Sequence, residues 1–305
     1  MVRHARGQVG VQLPPRRAHT LRLSLSPDER ALYDDVSNFI RAQLTPAGKE
    51  PTEAEGNSHT PRRTSGVPRS AALSTAHRFT LQTLQREIGS GPHAARPTLL
   101  SLAELPALAP RRAALRELAD RAAQVNTWAK AEALEKLLSR NRAEKILLFT
   151  HFRQTLDQLA ARLRALGLNF VVYHGGLSIA DKNAAVERFE HEAQILLSTE
   201  AAGEGRNLQF CRAMVNFDLP WNPLRIEQRV GRIHRIGQTR PVEIYNLSAS
   251  GTIEDYLLDI LDRKVNMFEL VIGEMDMILG DVAEERDFEE LLFEVWTQAG
   301  DDHGV

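Results

Sequence analysis

The 305-residue sequence contains a single cysteine, Cys211. One cysteine excludes a disulfide within the chain and any metal site built from several cysteines, and it is typical of a reducing compartment. No apolar run approaches the roughly 18 residues that a membrane helix needs. The basic residues at the N-terminus are not followed by the apolar core of a secretory signal. We therefore expect a cytoplasmic protein with no membrane contact.

The sequence also lacks several motifs that would define a self-contained active site. It has no G-x-x-x-x-G-K-[ST] loop to cradle nucleotide phosphates, and no strand-end Asp-Glu pair to hold Mg²⁺. It has no G-x-S-x-G elbow, and its cysteine is not in the context of a nucleophile. Because His151, His174 and His234 have no partners at metal-ligand spacing, we expect no metal site.

Charge is distributed unevenly, although the formal net charge is only −2. The first 142 residues carry 22 Lys and Arg against 13 Asp and Glu, whereas residues 251–305 carry 3 against 16. A partner with phosphate groups therefore suits the first 250 residues better than the tail. Most charge runs are only solvated faces, so this indication is weak on its own.

Composition and periodicity divide the chain into five regions. Residues 1–44 contain a Pro-Pro stretch and a helix that Ser26 can cap, with Pro27 at its first position. Residues 45–75 are rich in Pro, Gly, Ser, Thr and Glu, which indicates a flexible insertion. Residues 76–142 are predicted to be helical, and residues 251–305 to form one or two acidic helices.

Residues 143–250 alternate short apolar strands with helices. Strands are predicted at ILLFT, NFVVYH, QILLS, AMVNFD and VEIYNL. Continuous apolar strands separated by helices are typical of a parallel sheet covered on both faces. The sequence thus predicts an α/β fold of three layers with a mostly parallel sheet, preceded by a helical region and followed by acidic helices.

The strongest functional signal is the segment NPLRIEQRVGRIHRIGQ, residues 222–238. In a continuous helix, Gln228, Arg232 and Arg235 lie within about 60° of one another. Guanidinium groups bind phosphate oxygens and stabilise the charge on a transferring phosphoryl group. The opposite side is an apolar stripe suited to packing on the sheet, formed by Ile226, Val230 and Ile233.

A second signal is the loop STEAAGEGRNLQF, which follows the third predicted strand. Ser198 and Thr199 supply hydroxyl groups, and Gly203 and Gly205 let the backbone approach a ligand closely. Ligands gather at the carboxyl edge of parallel strands, where this loop begins. Taken alone, the two glycines are as well explained by a plain strand-to-helix turn.

Several blocks resemble, in order and spacing, the C-terminal motor lobe of bacterial-type Swi/Snf-family ATPases in helicase superfamily II. They are ILLFTHFRQTLDQLAARL, YHGGLS, QILLSTEAAGEGRNLQF, NFDLPWNPLRIEQRVGRIHRIGQ and SGTIEDYLL. The resemblance is strong from Lys145 to Leu258, and it implies a RecA-like domain. It extends more weakly to residues 1–44, which resemble the linker between two lobes, and implies that residues 76–142 form a helical protrusion and brace.

The resemblance also implies roles for individual residues. Arg232 and Arg235 match the arginine pair that reaches the ATP γ-phosphate, and Gln228 opens that motif. Gly203, Gly205 and Asn207 match the motif that couples DNA contact to nucleotide state. The predicted contacts to the DNA backbone are Thr150, His151, His174, Gly175, Ser198, Thr199 and Trp221. For Trp221, a place in the core is an equally good expectation.

A complete two-lobe enzyme of this family would use ATP and Mg²⁺, with duplex DNA and the N-terminal motor lobe, in cis or in trans, as partners. Its expected location is the nucleoid. Since this sequence has no phosphate loop, we expect the isolated chain to bind no cofactor and to hydrolyse no ATP. The start within an inter-lobe linker suggests a fragment, a split gene or a misassigned start codon.

Two other functions remain open at this level. The acidic residues 251–305 suggest a non-catalytic regulatory module that binds nucleic acid, RNA polymerase or another protein. The alternative of an RNA-directed helicase of the same superfamily is less favoured, because DLPWNP and HRIGQ are typical of the Swi/Snf branch.

Overall fold

The computed structural model describes residues 13–44, 75–199, 208–265 and 285–298. Its strands are β1 Arg16–Leu23, β2 Ile146–Phe149, β3 Phe170–Tyr173, β4 Ile195–Ser198, β5 Ala213–Asn216 and β6 Val242–Ala249. They form one six-stranded sheet in the order β1-β6-β5-β2-β4-β3, and all five neighbouring pairs are parallel. The predicted α/β fold is confirmed, and each of the predicted strands is present.

The helices in the described part of the chain surround this sheet. They are α1 Pro27–Leu44, α2 Thr75–Ser90, α3 Pro92–Ala103, α4 Arg112–Gln124, α5 Ala129–Arg140, α6 Arg153–Ala165, α7 Ile179–His191, α8 Pro223–Val230, α9 Ile253–Val265 and α10 Glu285–Gln298. A 3₁₀ helix, Pro106–Arg111, joins α3 to α4. Within the described ranges, no helix is both long and apolar enough to cross a membrane. The predicted insertion at 45–75 lies outside these ranges, except for Thr75.

The sixth strand, β1, is missing from the sequence prediction. Its sequence, RRAHTLRL, has no continuous apolar run, and most of its residues are partly or fully exposed. The strand is nevertheless in register with β6 from Arg16 opposite Val242 to Leu23 opposite Ala249. Part of the segment predicted to be an inter-lobe linker is therefore an edge strand of the sheet. An edge strand pairs with a single neighbouring strand, and its other side faces solvent, which suits a polar sequence.

Two hydrophobic clusters cover the two faces of the sheet and confirm the predicted three layers. One cluster packs Leu148 and Leu197 of the strands against Leu134 of α5 and Leu159 of α6. The other packs alternate strand residues against α7, α8 and the helices α1 to α4. Helix α5 thus covers the sheet directly, although its residues were predicted to belong to a protrusion beside the domain.

Helix α1 begins at a capping box that also fixes α5. The Ser26 hydroxyl accepts a hydrogen bond from the Glu29 backbone N–H at 3.3 Å, and the Ser26 N–H donates to the Glu29 carboxylate at 3.1 Å. The same carboxylate accepts a bond from the Ala129 N–H at 3.1 Å. The predicted cap and first helical proline are both confirmed, and one glutamate serves the first turns of two helices.

A buried ion cluster joins three parts of the fold. Lys130 of α5 donates from Nζ to Glu254 of α9 at 2.9 Å and to Asp218, after β5, at 3.1 Å. It also donates to the Gly89 carbonyl of α2 at 3.3 Å. Each of the three charged side chains is at most 5% exposed. The ammonium group therefore cross-links the helical region, the sheet and the C-terminal helices.

One ammonium group can neutralise only one of the two carboxylates. Burial alone would raise the pKa of Asp218, but Lys130 and hydrogen bonds from Thr150 and His151 hold that pKa below its ordinary value. Burial raises the pKa of Glu254 to about 7, against the smaller opposing effect of Lys130. Burial would lower the pKa of Lys130, yet the two carboxylates raise it. Asp218 is thus the ionised partner, whereas a pKa of about 7 leaves Glu254 divided between its protonated and ionised forms near neutrality.

Replacing Lys130 by methionine should strongly destabilise the chain. The substitution leaves the Asp218 carboxylate buried without its counter-charge, and breaking such a pair typically costs about 3–5 kcal/mol. The free energy of unfolding in urea at neutral pH measures the loss. Lys136→Met, at an exposed position of the same helix, should stay within about 0.5 kcal/mol of wild type. Equal stabilities of the two variants would contradict the role given to Lys130.

Glu254 should make stability fall as the pH rises toward and through neutrality. Its pKa in the folded chain is about 7, above the ordinary 4.5, so its contribution is complete at acidic pH and is lost as pH rises through 7. Each such group contributes up to about 1.4 kcal/mol per pH unit. Glu254→Gln cannot titrate and should flatten the decline between roughly pH 5 and pH 8.

The flattening should be partial, since the pKa of Glu87 is also raised to about 7 by burial and acts in the same direction. Unfolding free energies of wild type and Glu254→Gln, measured across this pH range, provide the comparison. Parallel curves would show that Glu254 does not titrate in this way.

Candidate functional site

The predicted phosphate-contact residues gather at the carboxyl edge of the sheet. Thr150 and His151 follow β2, His174 follows β3, and Thr199 follows β4. Backbone hydrogen bonds tie these strand ends together, from the Thr150 N–H to the Ser198 carbonyl at 2.9 Å and from the Thr199 N–H to the Tyr173 carbonyl at 3.1 Å. Parallel strands place their carboxyl ends at one edge, where ligands bind in such sheets. Gly203, Gly205 and Asn207 lie outside the described residues.

Two of these predicted residues point inward. The Thr150 hydroxyl donates to the Asp218 carboxylate at 2.5 Å, and the Ser198 hydroxyl donates to the Thr199 carbonyl at 2.6 Å. Both residues are fully buried. Their side chains therefore hold the loops of this edge in place, and the prediction that they touch DNA directly finds no support in the geometry. Thr199 and His151 are partly exposed, and Gly175 is exposed.

The two edge histidines are held by different partners. The His151 backbone N–H donates to the Asp218 carboxylate at 2.8 Å, while Arg86 of α2 donates to the His151 Nε2 at 3.1 Å. His174 Nδ1 accepts a bond from the Gly176 N–H at 3.1 Å. Partial desolvation and the nearby Arg153 lower the pKa of His174. Because a lower pKa favours the neutral ring, His174 offers a hydrogen-bonding group at neutral pH rather than a charge.

Trp221 lies in the core instead of on a contact surface. Its side chain is 1% exposed, and its ring stacks on Phe293 of α10 with centroids 6.2 Å apart. The Arg86 guanidinium lies over the same ring at 5.3 Å. In this arrangement the ring is therefore closed to DNA, and the alternative of a packing role is supported. A tryptophan buries its large ring readily when an apolar helix covers it.

Helix α8 is shorter than the sequence suggested. The Asn222 side chain caps it by accepting from the Leu224 N–H at 2.8 Å, but the helix ends at Val230 with Gly231 as its C-cap. Beyond it, the backbone forms tight turns. The Arg232 N–H donates to the Arg229 carbonyl, and the Ile233 N–H donates to the Val230 carbonyl. Glycine favours the end of a helix because its backbone loses more conformational entropy on becoming helical than that of other residues. The continuous helix predicted through Arg235 is therefore wrong beyond Val230, whereas the apolar stripe is confirmed as buried: Ile226, Val230 and Ile233.

The residues after α8, 231–238, form what we call the arginine turn. Gln238 closes it by donating from Nε2 to the Gln209 carbonyl at 3.0 Å and to the Ile233 carbonyl at 3.3 Å. Gly237 adopts φ +104, and a Cβ there would lie 2.9 Å from the Gln209 side-chain oxygen. The turn leaves Arg235 exposed and Arg232 partly exposed. It is thus a closed loop with Arg235 on its exposed surface.

Buried ionic contacts fix the helix that leads into this turn. Arg229, 5% exposed, donates to the Asn216 side chain at 2.7 Å and to the Asp218 carbonyl at 3.0 Å. At the far end of α8, Arg16 of β1 pairs with Glu227 at 2.9 Å. Arg16 also donates to His234 Nδ1 at 3.1 Å. The arginine turn is therefore fixed to both the centre and the edge of the sheet.

The structure separates the two predicted sites. Helix α8 starts after β5, at the carboxyl edge, and its end contacts Arg16, the first residue of β1, at the opposite edge. The arginine turn and the edge loops thus lie at opposite ends of α8. Asp218 links them, because its carboxylate binds Thr150 and His151 while its carbonyl binds Arg229.

The sequence prediction missed the residues that hold the two sites, above all Lys130, Asp218 and Arg229. A signal for Lys130 was available, since it shares an apolar helical stripe with Leu134, Leu137 and Leu138. A charge on such a stripe indicates a buried ion pair. Nothing comparable marks Asp218. Within the described ranges, no group of three or more His, Cys, Asp and Glu residues could hold a metal ion.

Comparison of the sequence with known proteins identifies a helicase domain and related proteins. Residues 129–237 match the helicase conserved C-terminal domain. The chain is 35% identical over 298 residues to the uncharacterized ATP-dependent helicase YqhH of Bacillus subtilis, covering 97% of the chain and 48% of YqhH. It is 41% identical over 140 residues to the RNA polymerase-associated protein RapA of Photobacterium profundum, covering 45% of the chain and 14% of RapA. The chain thus spans less than half the length of both relatives.

Solved structures share the fold at low sequence identity. The C-terminal part of the Fun30 ATPase domain superposes with a TM-score of 0.59 at 20% identity, covering 93% of this chain and 99% of that one. The Sulfolobus solfataricus SWI2/SNF2 ATPase core in complex with dsDNA gives 0.55 at 19% identity, covering 90% and 50%. The chain therefore carries a helicase conserved C-terminal domain at residues 129–237, and it shares the fold of these two ATPase structures.

Proposed function

We propose that the chain is the second motor lobe of an ATP-driven DNA translocase and that it supplies arginine fingers to a nucleotide held by another lobe. The observation that carries this proposal is the arginine turn, which presents Arg235 and Arg232 at the end of a helix anchored by Arg229 and Arg16. Side chains that stabilise a transition state need such a rigid support.

The residues of this chain fit one side of an ATP site. Guanidinium groups can stabilise the charge that spreads over a transferring phosphoryl group, and Gln228, exposed on α8, lies one turn before Arg232. The sequence contains no phosphate loop and no acidic pair for Mg²⁺. When bound elsewhere, ATP and Mg²⁺ would supply the phosphoryl group and its counter-charge. The role of this chain is then to complete a composite site.

The carboxyl edge is the proposed DNA-binding surface. Thr199, His151, His174 and Gly175 offer hydroxyl, imidazole and backbone groups of the kind that contact phosphate oxygens. Contacts of this type carry no base sequence, so binding should be independent of DNA sequence and sensitive to salt. A related fold has been solved in complex with dsDNA, which supports duplex DNA over RNA as the substrate.

A contact with RNA polymerase is the second candidate, because several relatives are named RNA polymerase-associated proteins. The feature that suggested it, the acidic region 251–305, is partly used within the chain. Glu289 and Glu294 of α10 pair with Arg86 and Arg78 of α2 at 3.0 Å and 2.9 Å. These two carboxylates are therefore already paired within the chain, and the motor-lobe function is better supported.

The purified chain should bind duplex DNA in the micromolar range or more weakly at physiological salt, as sequence-independent binding usually is. Gly175→Asp should weaken it about fivefold at low salt, since a negative charge near a phosphate costs on the order of 1 kcal/mol. Fluorescence anisotropy of a labelled duplex measures this. Ala143→Asp adds the same charge before β2, at the opposite edge of the sheet, and should have little effect. Equal losses for both variants would argue against the carboxyl-edge surface.

The chain alone should show no ATP turnover, and turnover should appear when a phosphate-loop lobe is supplied in trans. In that mixture, Arg235→Ala should lower kcat by about 10³-fold or more, the usual contribution of an arginine finger. Arg96→Ala, on the exposed surface of α3, should leave kcat unchanged. Turnover by the chain alone that Arg232→Ala abolishes would contradict the proposal, as would an active mixture insensitive to Arg235.

A further inference from the structure

Helix α10 covers a polar row on α2. Arg78, Gln82 and Arg86 are spaced four residues apart, which places them along one face of the helix. Each of them contacts α10: Arg78 pairs with Glu294, Gln82 donates to the Glu289 carbonyl at 3.2 Å, and Arg86 pairs with the Glu289 carboxylate at 3.0 Å. We call these three side chains the α2 row.

The α2 row ends at the carboxyl edge of the sheet. Arg86 donates to His151 and lies over the ring of Trp221. Phe293 of α10 also stacks on the ring of Trp221. An arginine, a histidine and an indole side by side form a surface of the kind that binds nucleic-acid phosphates and sugars. In this structure, acidic and aromatic side chains of α10 cover that surface.

We propose that the α2 row extends the DNA-binding surface of the carboxyl edge, and that α10 occupies this extension when DNA is absent. The inference rests on the proposed DNA-binding function and adds to it both a further binding segment and a competitor built into the chain. Glu289 and Glu294 stand where phosphate groups would stand, since each supplies anionic oxygens to one arginine of the row.

The ion pairs between α2 and α10 are of a kind that DNA phosphates can replace. The Arg78–Glu294 pair is exposed at both ends, with 43% and 44% of the side chains accessible, and such pairs stabilise a fold only slightly. The Arg86–Glu289 pair is more enclosed, at 15% and 17%. Leu292, Phe293 and Trp296 of α10 are also buried in the core cluster, so the row opens only when both this pair and that packing are given up. A DNA backbone bound at His151 would lie next to Arg86 and could replace Glu289 at its guanidinium.

Glu289→Gln should therefore tighten DNA binding. The substitution weakens the hold on Arg86 and leaves it for one further phosphate contact, which makes the slope of log K against log salt steeper by about 0.9. The affinity gain over wild type should then shrink about threefold between about 50 and about 200 mM NaCl. Anisotropy titrations of a labelled duplex over this salt series measure both quantities.

Glu290→Gln is the matched control. Glu290 is the next residue of α10 and is exposed, so this variant loses the same charge without releasing Arg86. Adding Arg86→Ala to Glu289→Gln should cancel the gain, with thermal melting used to check that the double variant is folded. If Glu289→Gln and Glu290→Gln bind DNA identically while wild type binds, the inference fails and the DNA-binding function stands. If wild type and every variant fail to bind, both fail.

Amide hydrogen exchange tests the same idea without substitutions. Addition of duplex DNA should protect the loop at His151 and increase exchange in residues 289–298, because DNA displaces α10 from the α2 row. Protection at His151 with unchanged or slower exchange in α10 would show that the helix stays in place, and it would overturn the proposal.

Discussion

The carboxylate of Asp218 is buried beside the carboxyl edge of the sheet, and several elements of the fold meet at it. An unpaired charge in such a place would cost several kcal/mol. Lys130 supplies the counter-charge, and the Thr150 hydroxyl and the His151 N–H supply hydrogen bonds. Because Lys130 comes from α5 and also bonds to Glu254 of α9 and to the Gly89 carbonyl, satisfying one carboxylate fixes the relative positions of four elements of the chain.

The same residue connects the two proposed sites. Through its side chain Asp218 sets the loop of Thr150 and His151 at the carboxyl edge, and through its carbonyl it holds Arg229 in α8. A shift of that loop on a DNA backbone would therefore act directly on the helix that ends in the arginine turn. Close-packed, hydrogen-bonded contacts of this kind transmit small displacements because they have no slack to absorb them.

The sequence was sufficient for the parts of the fold that depend on local pattern. Apolar strands such as Ile146–Phe149, the cap at Ser26 and the buried stripe of α8 all follow from periodicity and from end signals. The edge strand β1 could not be predicted in that way, because its stability comes from pairing with β6, more than 200 residues later. The closure of the arginine turn and the inward turn of Thr150 likewise depend on tertiary partners, Gln209 and Asp218, that local pattern does not reveal.

Trp221 shows that a buried residue can still belong to a binding surface when another helix of the same chain covers that surface. Its motif predicted a DNA contact or, equally, a place in the core, and the structure packs its ring against Arg86 and Phe293. Burial by the strands of a sheet is permanent, since the core would have to open to undo it. Burial by α10 depends instead on the packing of Leu292, Phe293 and Trp296 of one helix and on ion pairs with α2. The exposure of Trp221 is therefore set by where α10 lies, and both the apolar packing of that helix and its Arg86–Glu289 ion pair hold it there.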